Sequence, residues 1–137
     1  MPAFSPRSLG HLHTCHPDLV VLFKAVIKRY DCTVLEGQRS EERQRELVRT
    51  GKSHTMFSKH LEQPLSMACD VVPYPVEWTR RGQERMRHFA GFVFGVASQL
   101  GIKDLRWGGD WSGDVWTSRD GLRDQSFMDL PHFELNR

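Results

Sequence analysis

The sequence predicts a single α+β domain in which a small antiparallel sheet packs against two or three helices. Three observations carry that class. Apolar residues recur at helical spacing in two stretches, near 17–30 and near 80–100. Short β-branched runs lie between and after them. No repeat, linker or low-complexity tract divides the chain, whose 137 residues, 39% apolar and 26% charged, suffice for one core without covalent staples.

Residues 1–16, MPAFSPRSLGHLHTCH, read as an irregular N-terminal arm, and they lack the apolar run of a signal-peptide core. From Pro17 onward Leu19, Leu22, Phe23, Val26, Ile27 and Tyr30 line one helical face. Pro17 suits a first helical position, where a missing N–H costs nothing. CTVLE (32–36), bounded by Asp31 and Gly37, reads as a strand. Ser40 then caps SEERQREL, with acidic residues in the first turn and Gly51 just past the end. A polar loop follows to Ser66, and MACDVVP (67–73) reads as a second strand ended by Pro73. The long helix near 80–100 presents Met86, Phe89, Ala90, Val93, Phe94, Ala97 and Leu100, with Gly101 as its C′ residue. A short LRWGG segment, a Gly/Ser/Asp-rich loop over 108–126 and a final HFEL strand at 132–135 complete the chain.

Composition narrows the partners. Lys+Arg 19 against Asp+Glu 17 leaves a net charge of +2, with no clustered basic stripe of the kind nucleic-acid binding calls for. Cys15, Cys32 and Cys69 are odd in number and form no C-x-x-C pair, so reduced thiols rather than a disulfide framework are expected. No apolar run reaches transmembrane length, which argues against membrane insertion.

Chemistry concentrates on a few polar residues in apolar surroundings. Asp70 interrupts the apolar strand MACDVV, where an unpaired carboxylate would be expensive to bury. His132 opens the last strand, and alternation puts Glu134 on the same side. His60 ends the polar loop. Two histidines and one carboxylate fill three positions of a tetrahedral Zn²⁺ and leave the fourth for a water, as hydrolysis requires. The absence of H-E-x-x-H excludes a helix-borne site of that type. His54 competes with His60 as a ligand, and His11, His13, Cys15 and His16 form a second cluster in the N-terminal arm that favours adventitious binding or none. Cys69 points away from Asp70 into the core, while Trp107, Trp111 and Trp116 divide between core packing and cleft walls.

In order along the chain, Ser58-Lys59-His60, Ala68-Cys69-Asp70 and His132-Phe133-Glu134 resemble the S-x-H … A-x-D … H-x-E signature of peptidoglycan metallopeptidases. That group includes D-alanyl-D-alanine carboxypeptidases and the hedgehog signalling domain. Val34 to Ser40 resembles its strand–Gly-x-Arg–helix entry, and Arg106-Trp107-Gly108-Gly109-Asp110-Trp111 its R-[FW]-G-[GA]-D-W segment. The subgroup resembled is the L-alanyl-D-glutamate endopeptidases of phage endolysins. The resemblance implies a hedgehog/DD-peptidase-like fold and Zn²⁺ held by His60, Asp70 and His132. It implies Asp129 as general base toward the attacking water and Arg39 as a partner for the oxyanion; Ser58 within the motif, His54 as a loop histidine near the cleft and Trp111 as a cleft wall are the expected substrate contacts. The interval between His60 and Asp70 is longer than usual in the family, so a bulged loop is expected at 61–67. The implied enzyme is a monomeric phage lysis peptidase acting on bacterial peptidoglycan, held in the host cytoplasm until it reaches the wall. A D-Ala-D-Ala carboxypeptidase or dipeptidase on the same scaffold, and a non-catalytic zinc-binding interaction domain, are the alternatives.

Overall fold

A computed structural model describes residues 1–61, 63–113 and 128–137. Among the described residues four helices, α1 (Pro6–Leu12), α2 (Pro17–Ile27), α3 (Glu41–Arg49) and α4 (Arg80–Gln99), accompany four strands. The strands are β1 (Cys32–Glu36), β2 (Ala68–Pro73), β3 (Leu105–Gly108) and β4 (Asp129–Leu135). A 3₁₀ turn spans Lys59–Leu61. Trp116, and most of the loop expected over 108–126, lie outside the described residues.

The helix ends follow local chemistry. Ser5, Ser40 and Thr79 each accept a backbone N–H of the first turn through the side-chain oxygen, satisfying a donor the helix cannot reach. Pro17 stands at the start of α2, and Gly101, just past α4, takes φ 76°, a left-handed conformation that a side chain would disfavour.

All strand pairs are antiparallel, in the order β1-β2-β4-β3. On one face Val34, Cys69, Val71, Phe133 and Leu135 join Leu22, Phe23 and Val26 of α2 and Phe89, Ala90 and Val93 of α4 in the core. Phe133 sits edge-on to Phe23, with ring centroids 5.5 Å apart. Because side chains alternate along a strand, the residues between these point to the opposite face. Register then lines them up: Glu36 pairs with Asp70, Asp70 with His132, and Glu134 with Arg106. The apolar face therefore fixes a polar row on the other side of the sheet.

Two expectations need correction. The N-terminal arm is not irregular, since Pro6–Leu12 forms α1 and buries Ser8 and Leu12. The Ser8 hydroxyl accepts the Val34 N–H at 3.1 Å, so α1 supplies an acceptor to β1 where that strand's register shifts. The last strand starts at Asp129 instead of 132, so Asp129 and His132 belong to one element. Among the described residues no helix is long and apolar enough to cross a membrane.

Candidate active site

His60, Asp70 and His132 offer ligand atoms that all lie within 4.8 Å of one another. Asp70 and His132 are cross-strand partners on β2 and β4, and His60 reaches over them from the 3₁₀ turn. His60 Nε2 lies 3.1 Å from Asp70 Oδ1 and 3.2 Å from His132 Nδ1. Both rings are buried.

Outer hydrogen bonds fix which nitrogen of each ring faces inward. His60 Nδ1 donates to the Gly37 carbonyl at 2.6 Å, leaving Nε2 as the inward lone pair. His132 Nε2 donates to Glu134 Oε1 at 2.8 Å, leaving Nδ1 inward. Two neutral imidazoles held this way would aim two lone pairs and a carboxylate at one point. Three acceptors converging without a donor repel unless a cation or a proton sits among them. This donor set, oriented from outside by a carbonyl and a carboxylate, fits a divalent metal with nitrogen and oxygen ligands. The buried group can hold a metal ion.

The electrostatics agree. Without a cation, burial would lower His132, but hydrogen bonds to Asp70 and Glu134 outweigh it and lift the ring to about 9. A proton then takes the place of the cation. Burial would raise Asp70, yet the two histidines hold its carboxyl far below the usual range. Asp129 Oδ2 stands 4.0 Å from His132 Nδ1. Burial and the charge of Asp70 push Asp129 up to about 6. Two carboxylates of one site are thus driven apart, the pattern that separates a ligand from a base.

The structure places the other expected residues as follows. Arg39 reaches the site with its guanidinium committed to one carboxylate and one amide: Nε and Nη2 donate to Glu36 at 2.8 and 2.9 Å, and Nη1 to Gln44 Oε1 at 2.6 Å. Its Nη2 also stands 3.5 Å from Asp70 Oδ2. Ser58 lines the cleft, and its hydroxyl accepts the His60 N–H at 3.2 Å, so it orders the turn that carries a ligand. His54 lines the cleft but stands outside the metal-competent group. Trp111 packs on His132, with centroids 5.2 Å apart, while the Arg106 guanidinium lies 5.6 Å over the indole. The cleft around these residues measures about 430 Å³.

Sequence reasoning missed Glu36 and Gln44, the partners of Arg39. Gln44 is fully buried one turn before Leu47, so a polar residue on the inward face of α3 was the available signal. It also missed the role of Gly37. A Cβ there would stand 2.2 Å from the His11 carbonyl oxygen and 2.3 Å from Thr14 Oγ1. The glycine lets the end of α1 close against the segment whose carbonyl orients His60.

Comparison with known proteins bears directly on this geometry. A family model described as phage L-alanyl-D-glutamate peptidase matches residues 2–136. The chain belongs to that family. It is therefore an enzyme of the peptidase class, and its α+β architecture is that of its family. Among solved structures, the chain is similar to the crystal structure of the Serratia marcescens L-Ala D-Glu endopeptidase ChiX. The two share 34% identity and a TM-score of 0.68, over 98% of this chain and 90% of the other. No curated protein sequence matches.

Proposed function

We propose that this protein hydrolyses the L-alanyl-D-glutamate bond in the stem peptide of bacterial peptidoglycan, using Zn²⁺ held by His60, Asp70 and His132. The observation that carries the reading is the convergence of Asp70 with two histidines, each braced from outside by a hydrogen bond, beside a carboxylate raised to about 6. Zn²⁺ in a three-ligand site supplies Lewis acidity to a carbonyl and acidifies water toward a pKa of about 7.

The chain's own residues do the rest. Asp129, raised to about 6, is ionised at neutral pH yet basic enough to take a proton from the attacking water at Oδ2. The same carboxyl can then return the proton to the departing amine nitrogen. Glu134 holds His132 in the tautomer that presents Nδ1, and Arg106 holds Glu134 at 2.8 Å. Arg39 is a positioning residue: it clamps Glu36 and stands against Asp70, so the role of oxyanion donor is secondary to ordering a ligand. His54, Ser58 and Trp111 form cleft wall against the substrate. One chain supplies every group in this scheme, which suits a monomer. A lysis enzyme of this family is made in the host cytoplasm and acts once it gains access to the wall.

Mass spectrometry of peptidoglycan digests tests the reading. New D-glutamate N-termini are the expected product. Release of a terminal D-alanine would reassign the enzyme to carboxypeptidase chemistry, and no product would favour a binding domain. Purified protein should carry one equivalent of zinc, and His60→Ala or His132→Ala should lose it.

A further inference from the structure

We propose that Arg43 and Lys52 form a carboxylate-reading wall of the cleft, selecting substrates whose residue on the amine side of the scissile bond carries a free carboxylate. The inference rests on the L-alanyl-D-glutamate reading above and adds the basis of its selectivity.

The cations of the cleft are not alike. Arg39 is bound to Glu36 and Gln44, Arg106 to Glu134, and Lys59 donates to the main-chain oxygen of Arg137 at 3.1 Å. Arg43 and Lys52 also line the cleft, yet among the described residues their side chains have no hydrogen bond or ion pair. The contrast holds within α3 itself. Arg45 and Arg49, on its exposed surface, pair with Glu41 and Glu46, while Arg43 is left facing the cleft. Arg43 also lines the adjoining hollow that shares Glu36, Asp70 and Asp129 with the cleft, which puts it on the side of the proposed base.

Charge balance gives the surplus a meaning. Glu36, Asp70, Asp129 and Glu134 are the carboxylates lining the cleft among the described residues. Arg39, Arg106 and a divalent metal neutralise them. Three further cations line the cleft: Lys59 is held by the Arg137 main-chain oxygen, and Arg43 and Lys52 remain with no hydrogen bond or ion pair among the described residues. Glutamate has two carboxyl groups, and only one continues a peptide chain. The other stays within a few bonds of the nitrogen released in the reaction, so the leaving half of the substrate brings an anion to this wall. A cation held ready for it binds most strongly when its partner is also partly desolvated in the cleft.

The test uses two stem peptides that differ only in that carboxyl, free in one and a primary amide in the other. Metal-loaded wild type should favour the free carboxylate by about tenfold or more in kcat/KM, mainly through KM. Arg43→Gln and Lys52→Gln should each lower that ratio, the double variant should bring it close to one, and Arg43→Lys should keep most of it. Peptide binding to Asp129→Asn protein should show the same ratio in Kd. Should a variant fail to fold, the preference of the wild type should still shrink as ionic strength rises. Equal cleavage of both peptides by wild type, or a preference that survives the double substitution, overturns the proposal alone. Cleavage of neither peptide overturns the peptidase reading and this proposal with it.

Discussion

Asp129 and His132 lie on one strand with Oδ2 and Nδ1 4.0 Å apart, and both depart from their ordinary ionisation, Asp129 raised by burial and His132 raised, against burial, by its carboxylate partners. Asp129→Asn keeps the shape and removes the base. It should retain the metal and lose about 10²- to 10⁴-fold in kcat, measured by metal analysis beside turnover. Retained turnover would move the base to another carboxylate of the cleft. A divalent cation favours the ionised form of Asp129, so the acid limb of kcat/KM should fall below pH 6, not above it. His132 makes a second prediction. Its metal-free form holds a proton up to about pH 9, so metal binding at pH 7 should release about one proton from this ring. Calorimetric titrations in buffers of different ionisation enthalpy measure that release.

At the scale of elements, the site depends on close backbone approaches. Gly37 lets α1 close on the loop after β1, and Gly108 lets β3 pass the Asp129 carbonyl oxygen, where a Cβ would come within 2.1 Å. Gly37→Ala should destabilise the fold by about 1–3 kcal/mol through overpacking and should also weaken metal binding, because the Gly37 carbonyl orients His60. Gly10→Ala, inside α1 with open space around its Cβ, is the control and should be neutral or slightly stabilising. Denaturant melts and metal content decide the comparison. The elements differed in how far the sequence disclosed them. α2, β1, β2 and α4 were legible because their apolar residues repeat at the period of the structure they form. α1 was not, because its seven residues bury only Ser8 and Leu12, too few for a period to show. The start of β4 was hidden by Pro131, which reads as a strand breaker and is accommodated here opposite the register shift of β3.

For the whole molecule, one sheet carries the core on one face and the charges on the other, so metal and fold stabilise each other. Removing the metal should lower Tm without unfolding the chain, because protonated His132 takes over the central position. Any ligand that binds only the folded state adds stability in proportion to RT ln(1 + [L]/Kd), about 4 kcal/mol at a thousandfold excess over Kd. The metal-free protein should carry a pH signature of opposite sign to ordinary acid unfolding. The folded pKa of His132, about 9, exceeds the ordinary histidine value of 6.5. Its contribution is therefore full below pH 6.5 and lost as pH rises through 9. Thermal melts of chelated protein across that window check the sign.

The sequence by itself determined the class of fold, the three polar residues set into apolar or ordered surroundings, and the family signature they share. Those features are legible because burying a carboxylate or a histidine without a partner is costly, and each such residue implies one. Tertiary structure decided who the partners are. Only the β2–β4 register puts Asp70 opposite His132, and only the packing of α1 against Gly37 aims His60. Only the fold separates Arg39, bound to carboxylates, from Arg43, which stands in the cleft without one. Spacing along a chain fixes which side of an element a residue faces. Which element lies across from it depends on long-range pairing that no local pattern contains.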